Sequence, residues 1–179
     1  MKSSTKNPRG LVITYFGDGK GKTTAALGLA LRASGYDKKI TIIQFIKGDW
    51  ISGEEISLKK FKNAKLIKTG LGFIGIKNDK KSLTEHREAA IKGLELVKRE
   101  IKNCDILILD EVMGAIKGKL INEKDVLDLI NKKPTDTTLV LTGSPKIGKI
   151  IDNSDLVTQM CKIKHPYDKG IDAIHGVDY

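Results

Sequence analysis

Residues 16–24 read Phe16-Gly17-Asp18-Gly19-Lys20-Gly21-Lys22-Thr23-Thr24. An apolar run, residues 11–15, precedes this segment, and a run with helical periodicity, residues 23–34, follows it. A strand, a glycine-rich loop ending in Gly-Lys-Thr and a helix form the arrangement of a phosphate-binding loop. Glycines allow backbone N–H groups to converge on one anion, and the helix N-terminus adds a partial positive charge. The segment therefore predicts a site for a nucleotide triphosphate.

The motif predicts a role for most of its residues. In such a loop the lysine, here Lys22, contacts the distal phosphates, and the hydroxyl group of Thr23 is a ligand of Mg²⁺. Phe16 stands where the usual G-x-x-x-x-G-K-[ST] pattern has its first glycine. The predicted nucleotide-binding residues are Gly17, Asp18, Gly19, Lys20, Gly21, Lys22, Thr23 and Thr24.

Length and composition indicate one globular domain over residues 1–179. An apolar share of 40% and a charged share of 30% exclude disordered and collagen-like chains. No run approaches the ~20 apolar residues of a membrane span, and the polar residues 1–9, which we expect to be flexible, contain no signal-peptide core. Cys104 and Cys161 lack metal-site spacing, and their surroundings predict buried thiols. We therefore expect a cytoplasmic protein without a disulfide framework.

The net charge of +10 allows two interpretations. Clustered lysines can neutralise the phosphates of a nucleic acid. The lysines of this chain are spread along its length, and aromatic residues, which stack on single-stranded bases, make up only 5%. We therefore favour solvated lysine faces that attract an anionic small substrate over a nucleic-acid partner.

Strand-like and helix-like segments alternate along the chain. The predicted strands are residues 11–15, 40–46, a weak one near 66–67, 106–109, 138–141 and 156–163. The predicted helices are residues 23–34, a long one from Ser82, 126–130 and 147–151. This alternation predicts a three-layer α/β fold with a six-stranded, mostly parallel sheet and helices on both faces.

The long helix has a recognisable start and a predicted core face. Ser82 and Glu85, three residues apart, form a capping box. Apolar spacing places five residues toward the core, which are Leu83, Ala90, Leu94, Val97 and Ile101. His86 lies away from Leu83, and we expect it to be solvated.

Two acidic residues, Asp110 and Glu111, directly follow the predicted strand at residues 106–109. A buried parallel strand that ends in acids is where a nucleotide site needs carboxylates on its metal side. Asp110 and Glu111 are therefore predicted, together with Thr23, to be the residues around the metal ion.

These segments, in this order, resemble the P-loop-type ATP:corrinoid adenosyltransferases, also called cob(I)alamin or cob(I)yrinic acid a,c-diamide adenosyltransferases, over nearly the whole chain. The family has the same shortened loop, which accounts for Phe16. The other matching blocks are Gln44-Phe45-Ile46-Lys47-Gly48-x-Trp50, Gly53-Glu54, Leu109-Asp110-Glu111, Thr142-Gly143, Asp155-Leu156-Val157-Thr158, Lys164-His165-Pro166-Tyr167 and Gly176-Val177-Asp178-Tyr179. A RecA-like P-loop topology, with the strand at residues 138–141 beside the first strand, gives the strand order 3-2-4-5-1-6.

The resemblance implies a group transfer. In this family a reduced corrinoid with Co(I) attacks the 5′ carbon of ATP and expels triphosphate, in the synthesis or salvage of adenosylcobalamin. Lys22 and Glu111 would then be the catalytic residues. Thr23 and Glu111 would hold Mg²⁺, with Asp110 close by. The resemblance also implies a separate reductant protein, such as a flavodoxin, and a homodimer.

The corrinoid half departs from the family pattern. The family has Gly-x-Gly-Phe-Thr-Trp after its third strand, whereas this chain has Gly70-Leu71-Gly72-Phe73-Ile74-Gly75. Aromatic residues of this loop pack under the corrin in the family, so Phe73, together with Trp50, is a predicted corrinoid-binding residue. Ser144 stands where the family has an arginine.

Two other functions stay open on the sequence. A RecA-like ATPase coupled to nucleic acid is motivated by the net charge of +10 and by the Asp110-Glu111 pair. A nucleotide-binding protein that has lost corrinoid turnover is motivated by Gly75 and Ser144.

Overall fold

A computed structural model describes residues 9–75 and 79–179. Six strands form one sheet in the order β3-β2-β4-β5-β1-β6, and every neighbouring pair is parallel. The predicted fold class and RecA-like strand order are thereby confirmed. The N-terminal segment that we expected to be flexible is residues 1–9, and residues 1–8 lie outside the described residues. Across the described ranges, no helix is both long and apolar enough to cross a membrane.

The elements alternate along the chain as predicted, with two additional short helices. The strands are β1 (Val12–Phe16), β2 (Ile40–Gln44), β3 (Ala64–Lys68), β4 (Ile106–Asp110), β5 (Thr138–Gly143) and β6 (Leu156–Gln159). The helices are α1 (Lys22–Ser34), α2 (Gly53–Leu58), α3 (Leu83–Glu100), α4 (Val112–Lys117), α5 (Glu123–Lys132) and α6 (Gly148–Asp152). The sequence did not predict α2 and α4, which have six residues each.

The central strands divide the core into two layers. Alternate residues of β4 and β5 point to opposite faces of the sheet, as strand geometry requires. Leu107 and Leu139 belong to the apolar cluster that contains residues of α3, α4, α5 and α6. Ile108 and Val140 belong to the cluster on the other face, which contains Ala26 and other residues of α1. Helices therefore cover both faces, and this packing fixes the carboxyl ends of the strands.

The start of α3 confirms one prediction and contradicts two. The hydroxyl oxygen of Ser82 accepts the N–H of Glu85 at 3.2 Å, and the Glu85 carboxylate accepts the N–H of Ser82 at 2.7 Å. Leu83 is 49% exposed, so its predicted core position is wrong. The solvated position predicted for His86 is also wrong, because His86 is only 3% exposed. Its ring contacts Asp79, from the segment that precedes the helix.

The edge strand β6 differs from its prediction. It ends at Gln159 rather than at residue 163, and all four of its residues are exposed. Cys104 is buried as predicted, whereas Cys161 is exposed, so its predicted burial is wrong. Cys161 lies two residues after the end of β6, where the chain has left the sheet.

Candidate active site

The loop between β1 and α1 has the conformation that its glycines predict. Gly17 and Gly21 have φ angles of 120° and 115°, in the left-handed region that side chains rarely adopt. A Cβ atom on Gly17 would lie 2.2 Å from the carbonyl oxygen of Met160, after β6. Gly19 donates its N–H to that same oxygen at 2.8 Å. The glycines therefore serve both the turn and a close approach to the edge of the sheet.

Three lysine side chains border one cleft beside this loop. Lys22 is buried at the start of α1, and its ammonium group donates to the carbonyl oxygen of Gly19 at 2.8 Å. Lys20 forms an ion pair with Asp178, near the C-terminal end of the chain. Lys47, after β2, forms an ion pair with an acid of α2. Three ammonium groups that a polyphosphate could contact therefore border the cleft, and two of them are paired with carboxylates that also line it.

Asp110, at the end of β4, is the centre of a buried hydrogen-bond network. Its Oδ1 accepts the hydroxyl groups of Thr23 and Thr142, each at 2.8 Å. Its Oδ2 accepts the side-chain amide of Gln44 at 3.0 Å. Because both carboxylate oxygens are engaged and the residue is 2% exposed, Asp110 fixes the orientation of the Thr23 hydroxyl.

Glu111, the next residue, has a different environment. Its backbone has a φ angle of 59°, an uncommon conformation for a residue with a side chain, and its N–H donates to the Thr142 hydroxyl at 2.9 Å. The side chain borders the cleft. Burial, followed by the neighbouring charge of Asp110, raises the pKa of Glu111, while Lys22 opposes this rise. Glu111 is therefore the acid of the pair that faces the phosphate region.

Two aromatic side chains lie at the cleft, Phe73 in its lining and Trp50 in an adjoining hollow. The rings of Trp50 and Phe73 stack with their centroids 6.2 Å apart and their planes 15° apart, an offset arrangement that aromatic pairs prefer. Both side chains are exposed. The Phe73 loop turns at Gly72 and Gly75, whose φ angles are 111° and 72°. The structure therefore places an aromatic surface next to the phosphate-binding loop.

The cleft has a volume of about 700 Å³. It brings together residues of the phosphate-binding loop, α2, the Phe73 loop and the end of the chain. Among its lining residues are Lys20, Gly21, Lys22, Thr23, Thr24, Lys47, Glu54, Phe73, Glu111, Asp178 and Tyr179.

Comparison with known proteins gives the family. The model of the family described as ATP:corrinoid adenosyltransferase BtuR/CobO/CobP matches residues 8–179. The chain belongs to this family. It is 31% identical to the corrinoid adenosyltransferase of Escherichia coli strain K12, over 99% of this chain and 89% of that protein. The identity is also 31%, with the same coverage, for the corrinoid adenosyltransferase CobA of Salmonella typhimurium. A relative from Sinorhizobium is 34% identical over 100% of this chain and 85% of that protein.

The cleft of this corrinoid adenosyltransferase contains most of the predicted site residues. Five of them stand outside its lining, which are Gly17, Asp18, Gly19, Trp50 and Asp110. Trp50 lines an adjoining hollow that also contains Phe73, Asp178 and Tyr179. Asp110 lies behind Thr23, as its hydrogen bonds show. The carboxylate of Asp18 accepts the backbone N–H of Lys162 at 3.2 Å, which ties the loop to the segment after β6.

Two residues of the network were not predicted as site residues. Gln44 ends β2 and Thr142 lies in β5, and both are fully buried. Each is a buried polar side chain within a mostly apolar strand. That contrast is the sequence signal that could have identified them, because a buried polar group needs a partner.

Proposed function

We propose that this adenosyltransferase joins the 5′ carbon of ATP to the Co(I) centre of a reduced corrinoid and releases triphosphate. The observation that carries the proposal is a single cleft lined both by Lys22 and Glu111 and by Phe73. The phosphate-binding residues and the aromatic residue predicted for the corrinoid thus border the same space. In the balanced reaction, the Co(I) electron pair forms the cobalt–carbon bond, and the carbon–oxygen bond breaks toward triphosphate.

The lysines have the main electrostatic task in this reaction. Negative charge grows on the leaving triphosphate, and preorganised cations and N–H groups stabilise it most strongly in a water-poor site. Lys22 is buried and held at the start of α1, so it needs little reorganisation to contact a phosphate. Lys20 would exchange its partner Asp178 for a phosphate oxygen. The protein needs no general base, because the attacking cobalt carries no proton to remove.

The acid network fits Mg²⁺, which prefers oxygen ligands and keeps several of its waters. We propose that Thr23 and Glu111 hold the ion, and that Asp110 acts on it through Thr23. Bound Mg²⁺ would neutralise charge on the triphosphate. The hydrogen bonds from Thr142 and Gln44 leave Asp110 with few free acceptor positions, which supports this division of roles.

The aromatic pair supplies the corrinoid side. Phe73 and Trp50 present an exposed apolar surface, and a corrin ring is a large, flat and mostly apolar partner. Gly75 stands where the family carries a tryptophan in this loop, and Trp50 is the residue that stacks on Phe73 here. We propose that the pair orients the corrin so that cobalt faces the 5′ carbon. Holding two reactants in the right orientation lowers the activation barrier of such a transfer.

Several further features belong to the same proposal. We propose that a reductant protein, such as a flavodoxin, supplies the electron that converts Co(II) to Co(I). We propose that the chain works as one nucleotide-binding domain, forms a homodimer and acts in the cytoplasm without a nucleic-acid partner.

The experiment that tests the proposal is an anaerobic product analysis with Mg-ATP, with and without chemically reduced cobalamin. We expect triphosphate, and the absorption spectrum of a cobalt–carbon bond, only when the corrinoid is present. The Lys22→Ala variant should lose both products. Phe73→Ala should keep ATP affinity while losing corrinoid affinity. ADP and phosphate formed regardless of corrinoid, and faster with DNA, would instead indicate a nucleic-acid-coupled ATPase.

A further inference from the structure

A buried acid–imidazole pair lies behind the Phe73 loop. The side chains of Asp79 and His86 are 8% and 2% exposed. The Nε2 atom of His86 is 3.2 Å from both carboxylate oxygens of Asp79. An ionised carboxylate can only accept hydrogen bonds, so Nε2 is the donor. The pair therefore joins the first turn of α3 to the segment that precedes it.

Asp79 also holds the backbone of the loop. Its Oδ2 accepts the N–H of Gly75 at 2.9 Å, and its Oδ1 accepts the N–H of Lys81 at 3.0 Å. These two bonds, followed by the contact with His86, lower the pKa of Asp79, so the carboxylate is ionised at neutral pH. Hydrogen bonds to an ionised acceptor are stronger than those between neutral groups.

The anchor of this chain of contacts is rigid. The capping box fixes the start of α3, and residues further along the helix, including Ala90, Leu94 and Val97, are buried in the core. Contacts lead from the helix through His86 and Asp79 to Gly75, which is two residues after Phe73. These contacts thus connect the backbone beside Phe73 to a helix none of whose described residues is in the cleft lining.

We propose that Asp79 and His86 are positioning residues that hold the Phe73 loop against Trp50 and so prepare the corrinoid surface of this enzyme. The proposal rests on the role proposed above for Phe73. Gly75 stands where the family has tryptophan, and its φ angle of 72° is one that a tryptophan would rarely adopt. The loop of this chain therefore has a backbone suited to glycine, and the carboxylate binds the N–H of that glycine.

The test uses Trp50 as the probe, since it is the one tryptophan of the chain. Its emission maximum and acrylamide quenching are measured in the wild type and in four variants. Asp79→Ala removes all the contacts, and His86→Gln keeps a donor for Asp79. Phe73→Ala defines the signal of a Trp50 without its stacking partner. Glu88→Ala removes an exposed acid of the same helix and is the control.

We expect Asp79→Ala to shift the emission to longer wavelength and to increase quenching, as Phe73→Ala does. Glu88→Ala should match the wild type, and His86→Gln should lie close to it. In steady-state transfer assays, the KM for cob(I)alamin should rise about ten-fold in Asp79→Ala, because a displaced Phe73 ring would no longer contact the corrin in the right position. The KM for ATP should stay within about two-fold of the wild type, since the loop does not hold the phosphates.

Two results would overturn the proposal. One is a wild-type Trp50 signal in Asp79→Ala while Phe73→Ala changes it. The other is an equal rise of the KM values for ATP and for cob(I)alamin in Asp79→Ala, which would indicate that the substitution disturbs the whole structure. If Asp79→Ala does not fold, His86→Ala replaces it, and restoration of the Trp50 signal by His86→Gln becomes the deciding comparison. The fluorescence readout needs no corrinoid turnover, so a failure of the proposed function is distinguishable from a failure of this inference.

Discussion

Replacing Thr142 by valine removes one hydroxyl group from the acid network while it preserves the shape of the side chain. Thr142 is fully buried, so water cannot replace its hydroxyl group as a hydrogen-bond partner of the neighbouring residues. Its hydroxyl donates to the Asp110 carboxylate at 2.8 Å and accepts the N–H of Glu111 at 2.9 Å. The substitution therefore removes two hydrogen bonds at once.

The expected loss of stability follows from these two bonds. A hydrogen bond to a carboxylate contributes about 2 kcal/mol, and a half-buried N–H without its acceptor costs about 1 kcal/mol more. Thr142→Val should therefore lower the free energy of unfolding by about 3 kcal/mol. The matched control, Thr142→Ser, keeps the hydroxyl and loses one methyl group, which costs about 1 kcal/mol.

Urea unfolding of the two variants measures the difference. With a slope of about 2 kcal/mol per molar urea, the midpoint of Thr142→Val should lie about 1 M below that of Thr142→Ser. Mg-ATP affinity should also fall more in the valine variant, because Asp110 would hold Thr23 less firmly. The reasoning is refuted if the two variants unfold within about 0.5 kcal/mol of each other, the typical size of a surface substitution.

Three further predictions concern the loop and its surroundings. Burial, and then the charge of Asp110, raises the pKa of Glu111. As the pH is lowered, Glu111 should therefore become protonated, and Mg²⁺-dependent ATP affinity should fall, at a higher pH than for a glutamate with an ordinary pKa. Isothermal titration against pH checks this, and Glu111→Gln should abolish the dependence. Burial raises the pKa of the Cys104 thiol to about 11, so only the exposed Cys161 should react quickly with a disulfide reagent, and a Cys161→Ser variant should show no fast phase. Gly17→Ala should reduce ATP affinity at least about ten-fold, since the new Cβ would lie 2.2 Å from a carbonyl oxygen and the φ angle of 120° would be strained; wild-type affinity in titration calorimetry would contradict this.

Local sequence patterns were sufficient to predict the framework of the site. Glycine spacing before Lys22 specified a loop whose backbone angles only glycine adopts easily, and an apolar strand ending in Asp110 specified a second strand end beside it. The alternation of strands and helices predicted a mostly parallel sheet, and the RecA-like P-loop topology supplied the strand order. These features depend on residues that are close together in the chain.

The errors concern features that depend on distant or irregular segments. Helical spacing alone pointed His86 toward solvent, but Asp79 folds back over the first turn of α3 and buries it. Leu83 fits the apolar period, yet it precedes the part of the helix that packs on the core. The contact between Lys20 and Asp178 joins residues at opposite ends of the chain, and no local pattern predicts such a pair. Tertiary contacts override local periodicity at these positions.

The back wall of the phosphate-binding loop is formed by the least protected part of the sheet. Gly19 donates its N–H to the backbone of Met160, which directly follows β6. Among the described strands, β6 lies at the edge of the sheet beside β1, and all its residues are exposed. Edge segments with few buried contacts open at lower free energy than the core. In hydrogen exchange, the amides of β6 and of the loop should therefore open together, well before those of β4 and β5. Bound ATP, by holding the loop, would then also slow the hydrogen exchange of the β6 amides. Nucleotide binding would therefore stabilise the edge of the sheet.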